Sequence, residues 1–317
     1  MTKELEERLA EMKSQESVML FSSGFSANLG IVDAVMQNAD YLIYDAFSHA
    51  SLYDGVRLSR PRSKRFLHNS MQGLRDAIAE VNLVKHRDKY VAVEGVYSMD
   101  GDLAPLDKIA DECQKSDAIL ILDDAHGTGV LGRNGKGTAE HFGVEKEVDI
   151  TMGTFSKAFA LNGGFVGSSK DIIEYIRWFA RPYMFSASMP PTTIAAAHAA
   201  LDVIEDDPCL RERLFQNVDM LKSKLLSLGK GFEFHSESAI VILETPENMD
   251  IRKANRVFND NGIFVNSVEF PAVDIGSEKF RISLMATHTT EQIDQLVEQV
   301  ELIWELYESG SPDVCIS

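Results

Sequence analysis

One lysine, Lys157, lies inside an otherwise uncharged run, TMGTFSKAFALNGGFVG, from Thr151 to Gly167. The flanks are small residues, a glycine pair and apolar side chains, which read as strand, turn, strand in a core. A lysine there is paired, exposed at a pocket, or used covalently as an amine, with surrounding burial expected to keep that amine neutral. A lone lysine after a strand is most often a snorkelling side chain, so its meaning depends on what the rest of the chain places beside it. Each short β-rich run is followed by residues with chemistry. FSSGFSANLG follows 17–21 and carries Ser23, Gly24 and Phe25; AFSHAS follows 40–45 and carries His49; YSMDGD follows 89–96 and carries Ser98. DDAHGTG follows the next run with Asp123 and His126, and GTFSK follows the last with Thr154 and Lys157. Taken singly, these are ordinary caps, turn residues and surface histidines. Together they occupy the carboxyl ends of successive strands, which is where parallel sheets bind ligands.

The set suits pyridoxal phosphate. Its aldehyde needs an amine, which Lys157 could supply as a Schiff base. Its pyridine nitrogen needs an anion to stay protonated and act as an electron sink, and Asp123 at a strand end fits that need. The phenolic oxygen wants a donor and the ring a flat stacking partner. The phosphate wants Ser and Gly entering a helix, with exposed backbone N–H groups and a positive dipole end.

The elements that must hold these residues alternate. Strands are predicted at 17–21, 40–45, 89–96, 118–124, 148–153 and 164–169. Several are apolar on successive residues, as in strands buried on both faces. Helical stretches such as SANLGIVDAVMQ and PLDKIADECQKS lie between them. This alternation implies an α/β fold with a mostly parallel sheet flanked by helices. From about Pro190 the texture changes to a long helix over 191–207, a helix over 208–227, strands near 239–244, 263–267 and 279–285, and a closing helix at 289–307. The expected division is a large cofactor-binding domain at 1–195 and a small C-terminal α+β domain at 196–317.

Composition bounds the function. The 317 residues are 44% hydrophobic, enough to bury a substantial core, and carry a formal charge of −18 that disfavours nucleic acid and anionic membranes as partners. No window is apolar enough for a transmembrane helix, and the charged start MTKELEERLAEMKSQES has no signal-peptide core. Three widely spaced cysteines, Cys113, Cys209 and Cys315, argue for a reducing, cytoplasmic setting and against a disulfide framework or a metal site. Three partial motifs fail. GTGVLG does not follow a strand directly or open a good helix. GRNGKGT places Gly137, not Ser or Thr, after Lys136. TFSK has Thr154 where a serine nucleophile would stand.

In this chain order the blocks FSSGFSANLG, DAFSHASLYDG, FLHNS, VEGVYSMDGDLAPL, DDAHGTGVLGRNGKG, GTFSKAFALNGGFVG, RPYMFSASMPP and FRISLMATHTTEQID resemble the α-oxoamine synthases. These are fold type I, aminotransferase-like pyridoxal-phosphate enzymes, the group of 8-amino-7-oxononanoate synthase, serine palmitoyltransferase and glycine C-acetyltransferase. The resemblance runs from about Leu5 to Val300. It implies Lys157 as the Schiff-base lysine and the acid/base at the substrate α-carbon, Asp123 as the partner of the pyridinium nitrogen, His126 at the phenolic oxygen and His49 stacked on the ring. Ser98 and Thr154 support ring oxygen and phosphate, and Ser23, Gly24 and Phe25 line the cofactor site. Arg281 clamps the amino-acid carboxylate, and Ser186 and Ser188 reach the neighbouring subunit's phosphate in a homodimer. The implied reaction joins an amino acid to an acyl thioester, usually acyl-CoA, normally with loss of carbon dioxide. Family members usually carry a further segment before the point where this chain opens, with a Gly- and Arg-containing loop. Its absence here leaves as one alternative a cofactor-binding protein with little activity; an aminotransferase, which keeps the cofactor and changes the reaction, is another.

Overall fold

The β5 run shows how the sheet is built. In the computed structural model, which describes residues 1–59, 61–84 and 87–315, Ile121 packs into one apolar layer while Leu120 and Leu122 pack into another. A strand covered on both faces must be apolar at consecutive positions, and this one is. The large unit comprises Met1–Tyr97 and Leu103–Pro208. Its strands are β1 (Ser17–Phe21), β2 (Tyr41–Asp45), β3 (Arg62–Phe66), β4 (Lys89–Glu94), β5 (Ile119–Asp123), β6 (Ile150–Thr154) and β7 (Gly164–Ser168). They lie in the order β1-β7-β6-β5-β4-β2-β3. Only β7 runs against the rest, antiparallel to both β1 and β6, so the sheet is mostly parallel, as predicted.

Its helices are α1 (Thr2–Met12), α2 (Gly24–Val35), α3 (Ala50–Ser59), α4 (Met71–Asn82), α5 (Leu106–Ser116), α6 (Thr138–Phe142), α7 (Lys170–Phe179), α8 (Arg181–Met184) and α9 (Pro191–Asp206). One layer joins Ile31 and Val32 of α2 and Ile173 and Ile176 of α7 to Phe21, Leu42, Ile121 and Met152. The other joins Leu74 and Ile78 of α4 and Ile109 and Cys113 of α5 to Val91, Val93, Leu120 and Leu122. The charged strand RSKRF (β3) has no apolar run to announce it. It pairs with β2 alone, at the sheet edge, where charge discourages pairing with other chains.

The second unit comprises Ser98–Asp102 and Cys209–Ser317. It contains α10 (Cys209–Ser227), β8 (Ile240–Glu244), α11 (Ile251–Asp260), β9 (Asn266–Val268), β10 (Lys279–Ser283) and α12 (Thr290–Glu308). Its antiparallel sheet runs β8-β10-β9, and Phe258 of α11 meets Phe280 of β10 edge-on at 5.2 Å. Thr289 and Gln292 form a reciprocal capping box at the start of α12.

Three expectations change. The division falls after Pro208 rather than at 195/196, because α9 is part of the large unit: Ile194, Ala197 and Leu201 pack with Leu5 and Leu9 of α1. Ser98, expected in the large domain, belongs with its short loop to the second unit. The strand expected near 263–267 is β9 at Asn266–Val268, since only those residues pair with β10; Phe264 ahead of it is exposed.

Candidate active site

Where the sequence predicts a phosphate cradle, the structure has a capped helix start packed closely against two other segments. Ser23 caps α2, its Oγ accepting from Ser26 N–H at 3.0 Å. A Cβ on Gly24 would lie 2.9 Å from Thr154 Cβ and Oγ1, and one on Gly164 would lie 2.7 Å from Gly24 N. Three chain segments therefore meet closely at this helix N-terminus, a place suited to an anion. Thr154 is buried at the end of β6, with its Oγ1 3.1 Å from the carbonyl of Gly163. Gly163 has φ +129°, the turn conformation the sequence required of it. Gly164 is bare for close approach rather than for turning.

Asp123 ends β5 and is almost fully buried. Its Oδ1 accepts from Ala125 N–H at 3.1 Å and its Oδ2 from Asn28 Nδ2 at 2.7 Å. Burial pushes its carboxyl above the ordinary range, opposed by the Asn28 and Ala125 donors. Asn28, fully buried on α2, gives its second N–H to Ser51 Oγ at 2.9 Å, and Ser51 Oγ lies 2.8 Å from His49 Nδ1. His49 stands exposed just ahead of α3, and Phe25 meets its ring edge-on at 6.2 Å. Asn28 and Ser51 were not among the residues singled out from sequence. Asn28 lies inside the FSSGFSANLG block, but its partner Asp123 is 95 residues away.

Beside Asp123, Asp124 is held by a buried cation. Lys13 Nζ lies 2.6 Å from Asp124 Oδ2 and 3.2 Å from Thr128 Oγ1, while Thr138 Oγ1 donates to Asp124 Oδ1 at 2.6 Å. Gly95, Gly127 and Gly137 crowd this carboxylate so closely that a Cβ on any of them would collide with it. The cluster anchors the loop Asp124–Thr128, which carries half-buried His126.

Lys157 follows β6 in the turn before β7, with Ala160 N–H donating to its carbonyl at 3.0 Å. Its side chain is exposed. The expectation that the chain itself buries it is corrected. The apolar neighbours that suggested burial belong to the flanking strands and to Phe155 and Phe159, which point into the core while the turn lifts Lys157 out. Ser186 and Ser188 are exposed and, with Ser22, line a cavity of about 830 Å³.

In the second unit, Arg281 Nε donates to the Ser98 carbonyl at 2.5 Å and Nη1 to Ser283 Oγ at 2.9 Å. Lys279 pairs with Asp100 at 2.7 Å, and Ser238 Oγ donates to the Gly101 carbonyl at 2.7 Å. Burial pulls the Arg281 guanidinium below its ordinary value.

An acidic strand end, a serine-capped helix start and a lysine after the next strand, on a sheet with one reversed strand, define a fold type I pyridoxal-phosphate enzyme. The sequence profile of aminotransferase class I and II matches residues 1–300. The chain is 39% identical over 309 residues to serine palmitoyltransferase of Sphingobacterium spiritivorum, covering 97% of this chain and 76% of the relative. It is 40% identical over 296 residues to 8-amino-7-oxononanoate synthase of Alkaliphilus metalliredigens, covering 93% and 74%. A solved structure of serine palmitoyltransferase with pyridoxal phosphate superimposes with a TM-score of 0.89 at 35% identity, covering 95% of this chain and 76% of that one. The chain belongs to the aminotransferase class I and II family, in its α-oxoamine synthase branch.

Proposed function

We propose that this chain uses pyridoxal phosphate to condense an amino acid with an acyl thioester, in the manner its relatives' names describe. The observation that carries this reading is Asp123: a buried carboxylate at a strand end whose two oxygens are aimed by Asn28 and Ala125 N–H. The cofactor fits the residues present. The Ser23-capped N-terminus of α2 suits a phosphate, and a protonated ring nitrogen would offset the cost of burying the Asp123 charge. When bound, pyridoxal phosphate supplies an aldehyde for an amine and a protonated ring that accepts the electron pair left by a departing α-proton.

The chain's own residues then have distinct tasks. Lys157 provides the amine and moves the α-proton, its exposed side chain being desolvated by what binds over it. Asp123 accepts the ring N–H, His126 meets the phenolic oxygen and His49 stacks on the ring. Ser23, Gly24, Phe25 and Thr154 hold the phosphate end, with Ser98 at the ring oxygen. Arg281 clamps the substrate carboxylate, for which its planar fork is suited. The substrate α-carbon attacks the thioester carbonyl; a C–C bond forms, the thiol leaves with a proton, carbon dioxide is lost, and an α-amino ketone remains. Ser186 and Ser188 are assigned to the neighbouring subunit's phosphate in a homodimer. A cytoplasmic setting agrees with the three free thiols. Among the described residues no helix is long and apolar enough to cross a membrane.

The test is to incubate the full chain and cofactor with serine, alanine or glycine against short- and long-chain acyl-CoA. Thiol release is followed and products are identified by mass. Thiol release that requires one amino acid and yields an amino ketone is the expected result. Thiol release independent of the amino acid, or none with any pair, overturns the reading.

A further inference from the structure

The Asp123–Asn28–Ser51–His49 chain has a direction. Asp123 is an acceptor when ionised, so Asn28 turns its amide nitrogen toward it; the opposite flip would set an amide oxygen against a carboxylate. Both N–H groups are thereby given to Asp123 and Ser51, and Asn28 Oδ1 has no hydrogen-bond partner among the described residues. Ser51 Oγ, accepting from Asn28, has its own proton to give to His49 Nδ1 at 2.8 Å. The backbone supplies a second donor and shows the direction. Ser51 N–H, in the first turn of α3, also points at His49 Nδ1, at 3.2 Å. A backbone N–H can only donate, so Nδ1 is the acceptor of both. The neutral ring must carry its proton on Nε2, the tautomer favoured too by the positive end of α3.

We propose that Asn28 and Ser51 are positioning residues that lock His49 as the Nε2–H tautomer, so that its exposed edge offers bound ligands a hydrogen-bond donor and not a base. The buried charge of Asp123 sets the polarity of the whole chain, which couples the residue under the cofactor ring nitrogen to the residue stacked on the ring. The benefit to catalysis rests on the function proposed above; the tautomer does not. A donor edge at His49 also leaves proton abstraction from the substrate to Lys157 alone.

The experiment reads the tautomer directly. The full chain, as purified and again after saturation with pyridoxal phosphate, is labelled with ¹⁵N-histidine, and the His49 ring is assigned by its loss in His49→Gln. Expected are an unprotonated Nδ1 and a protonated Nε2 in neutral solution. Ser51→Ala and Asn28→Leu, which leave the backbone donor but remove the hydroxyl or free it to turn away, should each move both nitrogen shifts part of the way toward the values of a freely exchanging imidazole, while Ser51→Thr, which keeps the hydroxyl, restores the original pattern. A protonated Nδ1 in the unmodified chain overturns the proposal without any variant. So do shifts unchanged in both Ser51→Ala and Asn28→Leu. Because none of these readings needs substrate or turnover, failure of the tautomer and failure of the proposed reaction are told apart.

Discussion

Lys13 and Asp124 form an ion pair at 2.6 Å in which both side chains are almost entirely shielded from water, at 2% and 0% exposure. The pair joins the C-terminal end of α1 to the loop after β5, and Thr128, Thr138 and the Lys136 carbonyl complete its hydrogen bonds. Breaking such a pair leaves a buried charge without compensation, which costs about 3–5 kcal/mol, whereas replacing both members by apolar groups is often close to neutral. Lys13→Met should therefore lower stability by about that amount in urea melts, and Lys13→Met with Asp124→Leu should recover much of it. A loss below about 1 kcal/mol in the single variant would place the pair among weak surface contacts and sink this account.

Arg281 is held before any substrate arrives. Its Nε is engaged with the Ser98 carbonyl and Nη1 with Ser283, which fixes the planar fork and, among the described residues, leaves Nη2 without a hydrogen bond. Lysine keeps the charge but cannot reproduce that geometry. Arg281→Lys should raise KM for the amino acid about 10–100-fold, the equivalent of about 1.5–3 kcal/mol for a charge-assisted hydrogen bond, with little change in the KM for the thioester. A KM for the amino acid that stays within twofold would remove Arg281 from carboxylate binding.

The core of the large unit makes a prediction in alkali. Cys113 is packed between α5 and the sheet, and burial pushes its thiol up to about 12, with Asp149 and Glu112 adding to the effect. An unfolded cysteine ionises near about 8.5. The folded chain therefore holds this proton while the unfolded chain loses it. Stability is full below about pH 8.5 and falls as pH rises through the window toward about 12, by up to about 1.4 kcal/mol per pH unit. Tyr90, raised mainly by its own burial, adds to the loss at the upper end. Cys113→Ala should flatten the alkaline limb of a plot of urea midpoint against pH. In the native chain a thiol reagent at pH 8 should label exposed Cys209 and spare Cys113; equal labelling rates would contradict the packing.

Much of this site was legible because its residues end apolar runs. ILILD stops on Asp123, and ITMGT stops just before Lys157. What escaped were residues whose partners come only through the fold. Asn28 reads as an ordinary residue of α2, and Ser51 as a helix-start serine. Lys13 reads as a solvated lysine at a helix end, yet it is buried against a carboxylate 111 residues further along. The β3 strand was missed because an edge strand needs no apolar face. The burial expected of Lys157 failed for a related reason: local composition reports what the neighbours are, and the turn between β6 and β7 decides where they point. The α9 run was expected mostly in the small domain, but its Ile194, Ala197 and Leu201 stripe has a partner in α1 that periodicity alone does not name.

Exposure of Lys157 gives the last prediction. In the free chain the residue is exposed to solvent, so the covalent role proposed for it is expressed once cofactor binds over it. Free chain treated at neutral pH with an amine-directed acylating reagent should modify Lys157 no faster than other exposed lysines. After loading with pyridoxal phosphate, borohydride reduction and peptide mass spectrometry should find the cofactor mass on the peptide carrying Lys157. Lys157→Ala should abolish that adduct and reduce turnover by several orders of magnitude, while cofactor held by the phosphate cradle and Asp123 remains detectable by equilibrium dialysis. Reduction that fixes the cofactor to a different lysine, or turnover retained in Lys157→Ala, would transfer the covalent role elsewhere. Loss of the adduct together with loss of all cofactor binding would mean instead that the cradle at Gly24 and the Asp123 carboxylate hold too little of the cofactor without the covalent bond.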